Sequence, residues 1–289
     1  MKVIGIVCNN EKQKAIEIAR SVYDHFQAKK TKVLLLDEDV MPAKYSLPSV
    51  SQSKFSNEAE IIISVGGDGT FLRASKYSFE NETPVLGINV GDLGFLTEVD
   101  TANITEAMDG LIAGSYSLER RMLLKGQLYK NGEMIEDTGL PDLALNEFTI
   151  TRSMNEKVIK MEIVVNDISI KSFSADGIIV ATPTGSTAYS LSAGGPVVDP
   201  KAEAVIITPI CPHTLFSRSI ILGPDNVLEI KLSSRNEKDI LSVDGKTAPL
   251  RKPGKYILKV IRSNKRLNLV SFNPNAFFKV FKEKFIERI

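Results

Sequence analysis

The sequence predicts an α/β domain built on a parallel sheet, then a β-rich domain, with a C-terminal helix that returns to the first. Three observations carry this expectation. Over the first hundred residues, short apolar runs alternate with stretches of helical periodicity, as expected of parallel strands joined by crossover helices. From Ser117 to Phe272 short strand-like runs dominate, separated by turn dipeptides. The tail NPNAFFKVFKEKFIERI then spaces Phe277, Phe281 and Phe285 four apart, an apolar stripe that a helix has to bury.

The elements follow in order. KVIGIVC is a buried-strand pattern, and the next stretch places Ala15, Ala19, Val22 and Phe26 at helical spacing. KVLLLDE and EIIISVGG are the second and third strands, TFLRASKYSF a short helix, and TPVLGINVG a fourth strand. The arrangement is an open, Rossmann-like α/β sheet. Residues 41–57, polar and serine-rich with two prolines, read as a mobile loop. Residues 101–114 place Ile104, Ala107, Met108, Leu111 and Ile112 on one helical face with Thr101 as cap, and form the hinge between two regions. Beyond it, LLKGQLYKNGEMIE is a hairpin around Asn131-Gly132 and KMEIVVNDISIKSF another around Asn166-Asp167. ILSVDGKTAPL, KYILKVIRS and RLNLVSF continue the β pattern. The expected domains are 1–100 with 273–289, and 101–272.

Composition narrows the function classes. A chain of 289 residues with 43% hydrophobic and 25% charged residues is ordinary for a globular protein of one large or two medium domains. A net charge of +1 gives no electrostatic footprint for nucleic acid or an anionic membrane. The two cysteines, Cys8 and Cys211, have neither paired nor CxxC spacing, which fits a reducing cytoplasm rather than a disulfide framework or a zinc site. The start, MKVIGIVCNNEKQK, reads as a first strand rather than a signal peptide. No apolar run approaches the ~20 residues of a membrane helix. Two histidines, His25 and His213, leave little room for a histidine metal site.

Four clusters carry chemistry. In IIISVGGDGTFLRAS, the run Gly66-Gly67-Asp68-Gly69-Thr70 sits where a strand ends and a helix begins. Ligands in open α/β sheets bind at that end of the strands. Helix-start amides suit phosphate, and glycines let it come close. Neither a P-loop nor GxGxxG is present. Asp68 is then a turn former, a proton acceptor for a hydroxyl nucleophile, or a metal ligand. GINVGDLGFLTEV, with Gly87, Gly91 and Gly94, also follows a strand, and the two glycine-rich ends suggest one shared cleft. Phe95 lines that cleft or belongs to the core. SADGIIVATPTGSTAYSLSAGGPVVDP offers Asp176, small hydroxyl residues, Tyr189 and glycines, a set that suits a nucleotide and equally a turn-rich loop. Asn146-Glu147 in LALNEFTITRS interrupts a β-type run, which by itself reads as a solvated edge. His213 in PICPHTLFSR has no triad partners nearby in sequence.

Together these motifs resemble the NAD kinases, which move a phosphoryl group from ATP to the 2′-hydroxyl of the adenosine ribose of NAD, making NADP. GGDGTFLRA, GINVGDLGFLTEV, NEFTITR, DGIIVATPTGSTAYSLSAGGP and PICPHTL occur in that family's order and span nearly the whole chain. GGDG is shared with lipid kinases and phosphofructokinases, whereas ATPTGSTAYSLSAGGP is far more specific. The resemblance implies an α/β domain, a β-rich domain and a C-terminal helix packed back on the first. It implies Asp68 as proton acceptor, Gly69 touching NAD, and Arg73 on the dinucleotide phosphates. Gly66, Gly67 and Thr70 form the phosphate turn, with Phe95 beside the substrate. Asn146 and Glu147 hold the nicotinamide-side ribose, and Asp176 is a second carboxylate on NAD. Thr187, Ala188, Tyr189, Ser190, Leu191 and Ser192 surround the nucleotide, and Lys157 reaches it from a neighbouring subunit.

The resemblance further implies ATP, or polyphosphate in its place, as donor. It implies a divalent ion, Mg²⁺ or Mn²⁺, with no side chain assigned as its ligand, and a cytoplasmic homodimer or homotetramer. Three positions depart from the pattern: Lys246 where the family often has Gln, Ser219 where it often has Pro, and Ser174 where many relatives carry a larger residue. Two other readings stand beside it. A GGDG kinase of lipids or sugars would need no NAD, and a sensor would bind NAD without turnover.

Overall fold

The computed structural model describes residues 2–91, 94–153, 157–214, 217–234, 239–251 and 253–286. Asp92 and Leu93 of the second glycine cluster, and Leu215 and Phe216 beyond His213, lie outside them. The chain divides into two compact units, Met1–Arg120 with Lys265–Ile289, and Arg121–Asn264.

The first unit is an α/β domain. Its strands β1 (Ile4–Cys8), β2 (Val33–Leu35), β3 (Ile61–Gly66) and β4 (Val85–Asn89) alternate with α1 (Gln13–Ala28), α2 (Val40–Tyr45), α3 (Gln52–Glu58), α4 (Asp68–Lys76) and α5 (Ile104–Ala113). The strands pair in parallel in the order β2-β1-β3-β4. They read as continuous apolar runs because they are buried on both faces. Alternation along β1 explains the two layers. Ile4 and Ile6 face the core that holds Ala15, Ala19, Val22 and Phe26 of α1, while a Cβ at Gly5 would overlap the ring of Phe55.

Several expectations shift here. Residues 41–57 are not a loop: they contain most of α2 and of α3, and Leu36 bridges Val50. Composition misread this stretch because two residues do the anchoring, Met41 at 1% exposure and Phe55 at 0%. Helix α5 starts at Ile104, with Asp100 rather than Thr101 accepting the amides of Ala102 and Asn103. Ala107, Met108 and Leu111 bury it in the first unit's core, while Ile112 is exposed. This helix, expected at the hinge, is thus internal to the first unit, and the division of the chain falls after Arg120.

The second unit is β-rich. Its strands are β5 (Ser117–Lys130, entered from the first unit), β6 (Glu133–Met134), β7 (Leu143–Ala144), β8 (Glu147–Thr151), β9 (Ile159–Val165), β10 (Ile168–Ala175) and β11 (Gly177–Ala181). After the short α6 (Tyr189–Ser192) come β12 (Val205–Ile210), β13 (Ile220–Leu222), β14 (Leu228–Ser234), β15 (Ile240–Val243), β16 (Lys246–Pro249) and β17 (Gly254–Ser271). One antiparallel sheet runs β13-β12-β11-β8-β15-β16, and a second joins β10, β9, β14 and the first part of β17. Phe148, Ile150, Val180 and Ile207 of one sheet share a core with Met161, Ile163, Ile230 and Leu258 of the other. The hairpin turns at Asn131-Gly132, Asn166-Asp167 and Asp244-Gly245 all have positive φ at both residues, the geometry that matches strand twist.

The last residues of β17 rejoin the first unit, where Leu269 pairs in parallel with Val85. Helix α7 (Ala276–Phe285) follows. Its stripe is less buried than expected. Phe277, Phe281 and Phe285 lie in succession, with ring centroids 6.4 and 5.1 Å apart. Phe277 and Phe281 are only half-buried and Phe285 is 41% exposed, because the rings stack mainly on one another and on Phe95 at the surface of the unit.

Candidate active site

In the first unit, strand β3 ends at Gly66 and α4 begins at Asp68. The glycines of this turn have different reasons. Gly66 packs on Thr70, whose side chain a Cβ would overlap, whereas Gly67 and Gly69 face open space. The start of α4 therefore presents first-turn amides on an unobstructed side, a setting that favours an anion.

The Asp68 carboxylate is held by the second glycine cluster. Its Oδ2 accepts the Phe95 amide at 2.9 Å and its Oδ1 the Leu96 amide at 3.1 Å. This approach requires Gly94, since a Cβ there would overlap the Asp68 carboxylate and crowd Thr97. The Val90 amide also donates to the Gly66 carbonyl. The two glycine-rich strand ends thus form one feature joined through Asp68. Around them, Ser64 Oγ, Asn89 Oδ1 and Thr97 Oγ1 are buried without hydrogen-bond partners among the described residues. Buried polar atoms in that state ask for a ligand or water. Asn89 and Thr97 escape sequence reasoning because a lone amide or hydroxyl in an apolar run carries no spacing signal.

Phe95 is half-buried and packs on α7, 5.7 Å from Phe277 and 6.2 Å from Phe285 between ring centroids, with Lys284 Nζ 4.9 Å over its face. Arg73 turns toward the end of β1. Its guanidinium donates to Asp39 Oδ1 and to the Cys8 carbonyl, each at 2.6 Å, with Glu38 3.5 Å away. Asp39 also accepts the Cys8 amide and the Asn10 side chain. Burial beside this carboxylate pushes the Cys8 thiol up to about 12, so it stays a neutral thiol.

In the second unit, Asn146 and Glu147 lie at the start of β8, clamped from two sides. On one side Asp244 accepts the amides of Leu145, Asn146 and Glu147 at 2.8, 2.8 and 3.1 Å. On the other the Thr182 amide donates to the Asn146 carbonyl at 2.8 Å, and the Thr182 hydroxyl to the Leu145 carbonyl at 2.5 Å. Gly185 is required there, because a Cβ would overlap the Asn146 carbonyl. The pair is therefore not a solvated edge: Asn146 is 8% exposed and Glu147 7%. Glu147 Oε2 has no partner among the described residues, and burial together with the Asp244 charge pushes this carboxyl up to about 8. Asp244, in the VDG turn, is the position to which the sequence motifs assign no role, and Thr182, one of the small hydroxyl residues of the ATPT run, turns out to bond backbone.

The loop after β11 continues this feature. Thr184–Thr187 forms a 3₁₀ turn and Tyr189–Ser192 a single helical turn. Tyr189 is 44% exposed, while Ser190 is buried on Thr208, which in turn meets Ser219. Thr187, Ala188 and Leu191 are half-buried and Ser192 is exposed.

Asp176 lies elsewhere. Glu147 pairs with Ala181 and Thr151 with Gly177, so Asp176 stands roughly 15 Å from Glu147 along the strand, at ~3.3 Å per residue. It forms a two-pronged pair with Arg152, at 2.5 and 3.2 Å, and this guanidinium holds its carboxyl below the ordinary value. Lys157 is exposed ahead of β9. Of the three departures, Lys246 is exposed at the start of β16, the Ser174 carbonyl accepts the His213 amide, and Ser219 joins the hydroxyl chain from Ser190. Among the described residues no three or more His, Cys, Asp and Glu side chains gather to hold a metal ion, and no helix is long and apolar enough to cross a membrane.

The chain matches two family models, the ATP-NAD kinase N-terminal domain over residues 4–116 and the ATP-NAD kinase C-terminal domain over residues 145–272. It is 35% identical over 288 residues to a NAD kinase of Caldanaerobacter subterraneus subsp. tengcongensis and 36% identical over 288 residues to one of Thermoanaerobacter sp., covering 100% of each chain in both cases. Among solved structures, a NAD kinase from Archaeoglobus fulgidus in complex with ATP aligns with a TM-score of 0.74 at 25% identity, covering 98% of both chains. The yeast NADH kinase complexed with NADH shares the fold at a TM-score of 0.89 and 24% identity, over 99% of this chain and 88% of that one.

Proposed function

This chain belongs to the NAD kinase family, and we infer that it transfers the γ-phosphoryl group of ATP to the 2′-hydroxyl of the adenosine ribose of NAD, giving NADP. The observation that carries the reading is Asp68. It is held at a helix start by two loop amides, in a chain that aligns with NAD kinases from end to end.

Phosphoryl transfer depends on in-line placement and charge neutralisation more than on covalent help. In this reading the open turn of Gly66, Gly67, Gly69 and Thr70 receives phosphate, and Asp68 orients the 2′-hydroxyl. Its two amide bonds leave a lone pair on each oxygen. The 2′-oxygen bonds to the γ-phosphorus as the bond to the ADP oxygen breaks, and the hydroxyl proton passes to Asp68. Asn146 and Glu147 take the nicotinamide-side ribose, and the segment from Thr187 to Ser192 surrounds the nucleotide. Arg73 serves the phosphates as a partly exposed cation, since a guanidinium has five donors and Asp39 and Cys8 engage two. Asp176 is a second carboxylate that contacts NAD, and Lys157 reaches the dinucleotide from a neighbouring subunit of a dimer or tetramer. The divalent ion, Mg²⁺ or Mn²⁺, enters with the phosphates of the ATP substrate.

The test is NADP formation by the purified protein with NAD, ATP and Mg²⁺, beside Asp68→Asn. The wild type is expected to form NADP, and the variant to keep NAD binding while losing ~100-fold or more in turnover. Near-normal turnover in the variant removes Asp68 from the chemistry. NAD binding without product from the wild type identifies a sensor instead.

A further inference from the structure

Asp244 belongs to none of the recognised motifs, yet its carboxylate accepts three consecutive amides, those of Leu145, Asn146 and Glu147. Its own amide returns a bond to the Glu147 carbonyl at 3.1 Å. It does so from the positive-φ corner of the β15–β16 turn, with φ of 46°. Three amide bonds stabilise the ionised form of a carboxylate. The neighbouring Glu147 has the opposite surroundings. It is 7% exposed, its Oε2 has no donor among the described residues, and Asp244 faces it with like charge. Across the β8–β11 ladder Glu147 pairs with Ala181, and in the loop that follows, Thr184 accepts a bond from the Arg121 guanidinium at 3.5 Å. A buried acid without donors beside an anion is costly. It is the state of a group waiting for a ligand that brings hydroxyl donors.

We propose that Asp244 is a positioning residue for NAD recognition, which aims the Asn146 and Glu147 side chains by gripping their backbone and makes NAD binding depend on pH through its charge. This rests on the reading that these two side chains hold a ribose of NAD. Vicinal ribose hydroxyls donate to Glu147 and favour its ionised form. With the free carboxyl lifted to about 8, Glu147 carries a proton at neutral pH and releases it as NAD binds. Apparent NAD affinity therefore rises with pH up to about 8 and levels off above it. ATP does not share this dependence.

The experiment is steady-state kinetics of the full chain from pH 5.5 to 9, for the wild type and Asp244→Asn. The variant is expected to raise KM for NAD by about 10- to 100-fold, the scale of lost charged hydrogen bonds, with kcat and KM for ATP changed far less. The acid limb of kcat/KM for NAD moves to lower pH once the like charge is gone. A variant that merely lowers the active fraction moves neither KM nor the limb, and that result overturns the proposal. Should Asp244→Asn not fold, proton release on NAD binding is measured calorimetrically at pH 7 in buffers of different ionisation enthalpy. Release by the wild type and none by Glu147→Gln supports the proposal, and equal release by both overturns it. Failure of the wild type to make NADP while binding NAD would instead count against the kinase reading.

Discussion

Asp68 and Gly94 illustrate how single residues build the site. Asp68 could not hold both loop amides if position 94 carried a side chain, because the Cβ would occupy the carboxylate's place. Gly94→Ala is therefore expected to push the loop and Asp68 apart. Overpacking of this kind costs about 1–3 kcal/mol, and misplacing a reacting group by about 1 Å costs on the order of 100-fold in rate. The two effects separate in a thermal melt and a turnover assay. A variant with wild-type turnover would show that Asp68 needs no help from the loop. The identity of Asp68 was legible in GGDG, but its partners were not. Hydrogen bonds between side chains and amides 27 and 28 positions away leave no trace in local spacing. The same holds for Glu147, whose surroundings come from Asp244, 97 positions distant.

At the scale of elements, α7 is the clearest case. Its phenylalanine stripe predicted a buried face; the fold buries it only in part, with Phe285 41% exposed, and gives it one partner, Phe95, on the loop that grips Asp68. The C-terminal helix thus packs on the loop whose amides hold Asp68. Phe277→Ala is expected to destabilise the first unit by about 2–4 kcal/mol through lost burial and ring contacts. It should also lower turnover, because the Phe95 side of the loop loosens. Calorimetry and kinetics check the two parts, and unchanged turnover in a destabilised variant would reduce α7 to a structural role. Periodic helices and hairpins with Asn-Gly or Asn-Asp turns were legible because their signals are local. The segment of α2 and α3 was not. Its helices are short, and Met41 and Phe55 bury it through tertiary contacts that no periodicity records.

At the scale of the whole molecule, each unit has its own core. The second unit also leaves apolar residues outside it. Edge strand β10 exposes Ile168 at 67% and Ile170 at 44%, and exposed apolar edges of this kind invite pairing. This favours the proposed dimer or tetramer. Light scattering should give a mass of two or four times 31.8 kDa, and Ile168→Lys with Ile170→Lys should shift it toward the monomer. A monomeric wild type, or a double variant of unchanged mass, would move the interface elsewhere. Thermal stability is expected to fall with the assembly, because association stabilises by mass action.

The sequence by itself determined the α/β and β-rich halves, the strand-to-helix turn at Asp68, and the family. Each of these depends on local periodicity, on turn chemistry or on a contiguous motif. Only the tertiary structure decided what surrounds the candidate groups: the loop amides on Asp68, the Asp39 clamp on Arg73, the clamp of Asp244 and Thr182 on Asn146 and Glu147, and the distance of Asp176 from them. The physical reason is the same throughout. A residue's type and spacing set what it is able to do, but its charge state, orientation and partners are set by burial and by hydrogen bonds that the folded chain closes over long sequence separations.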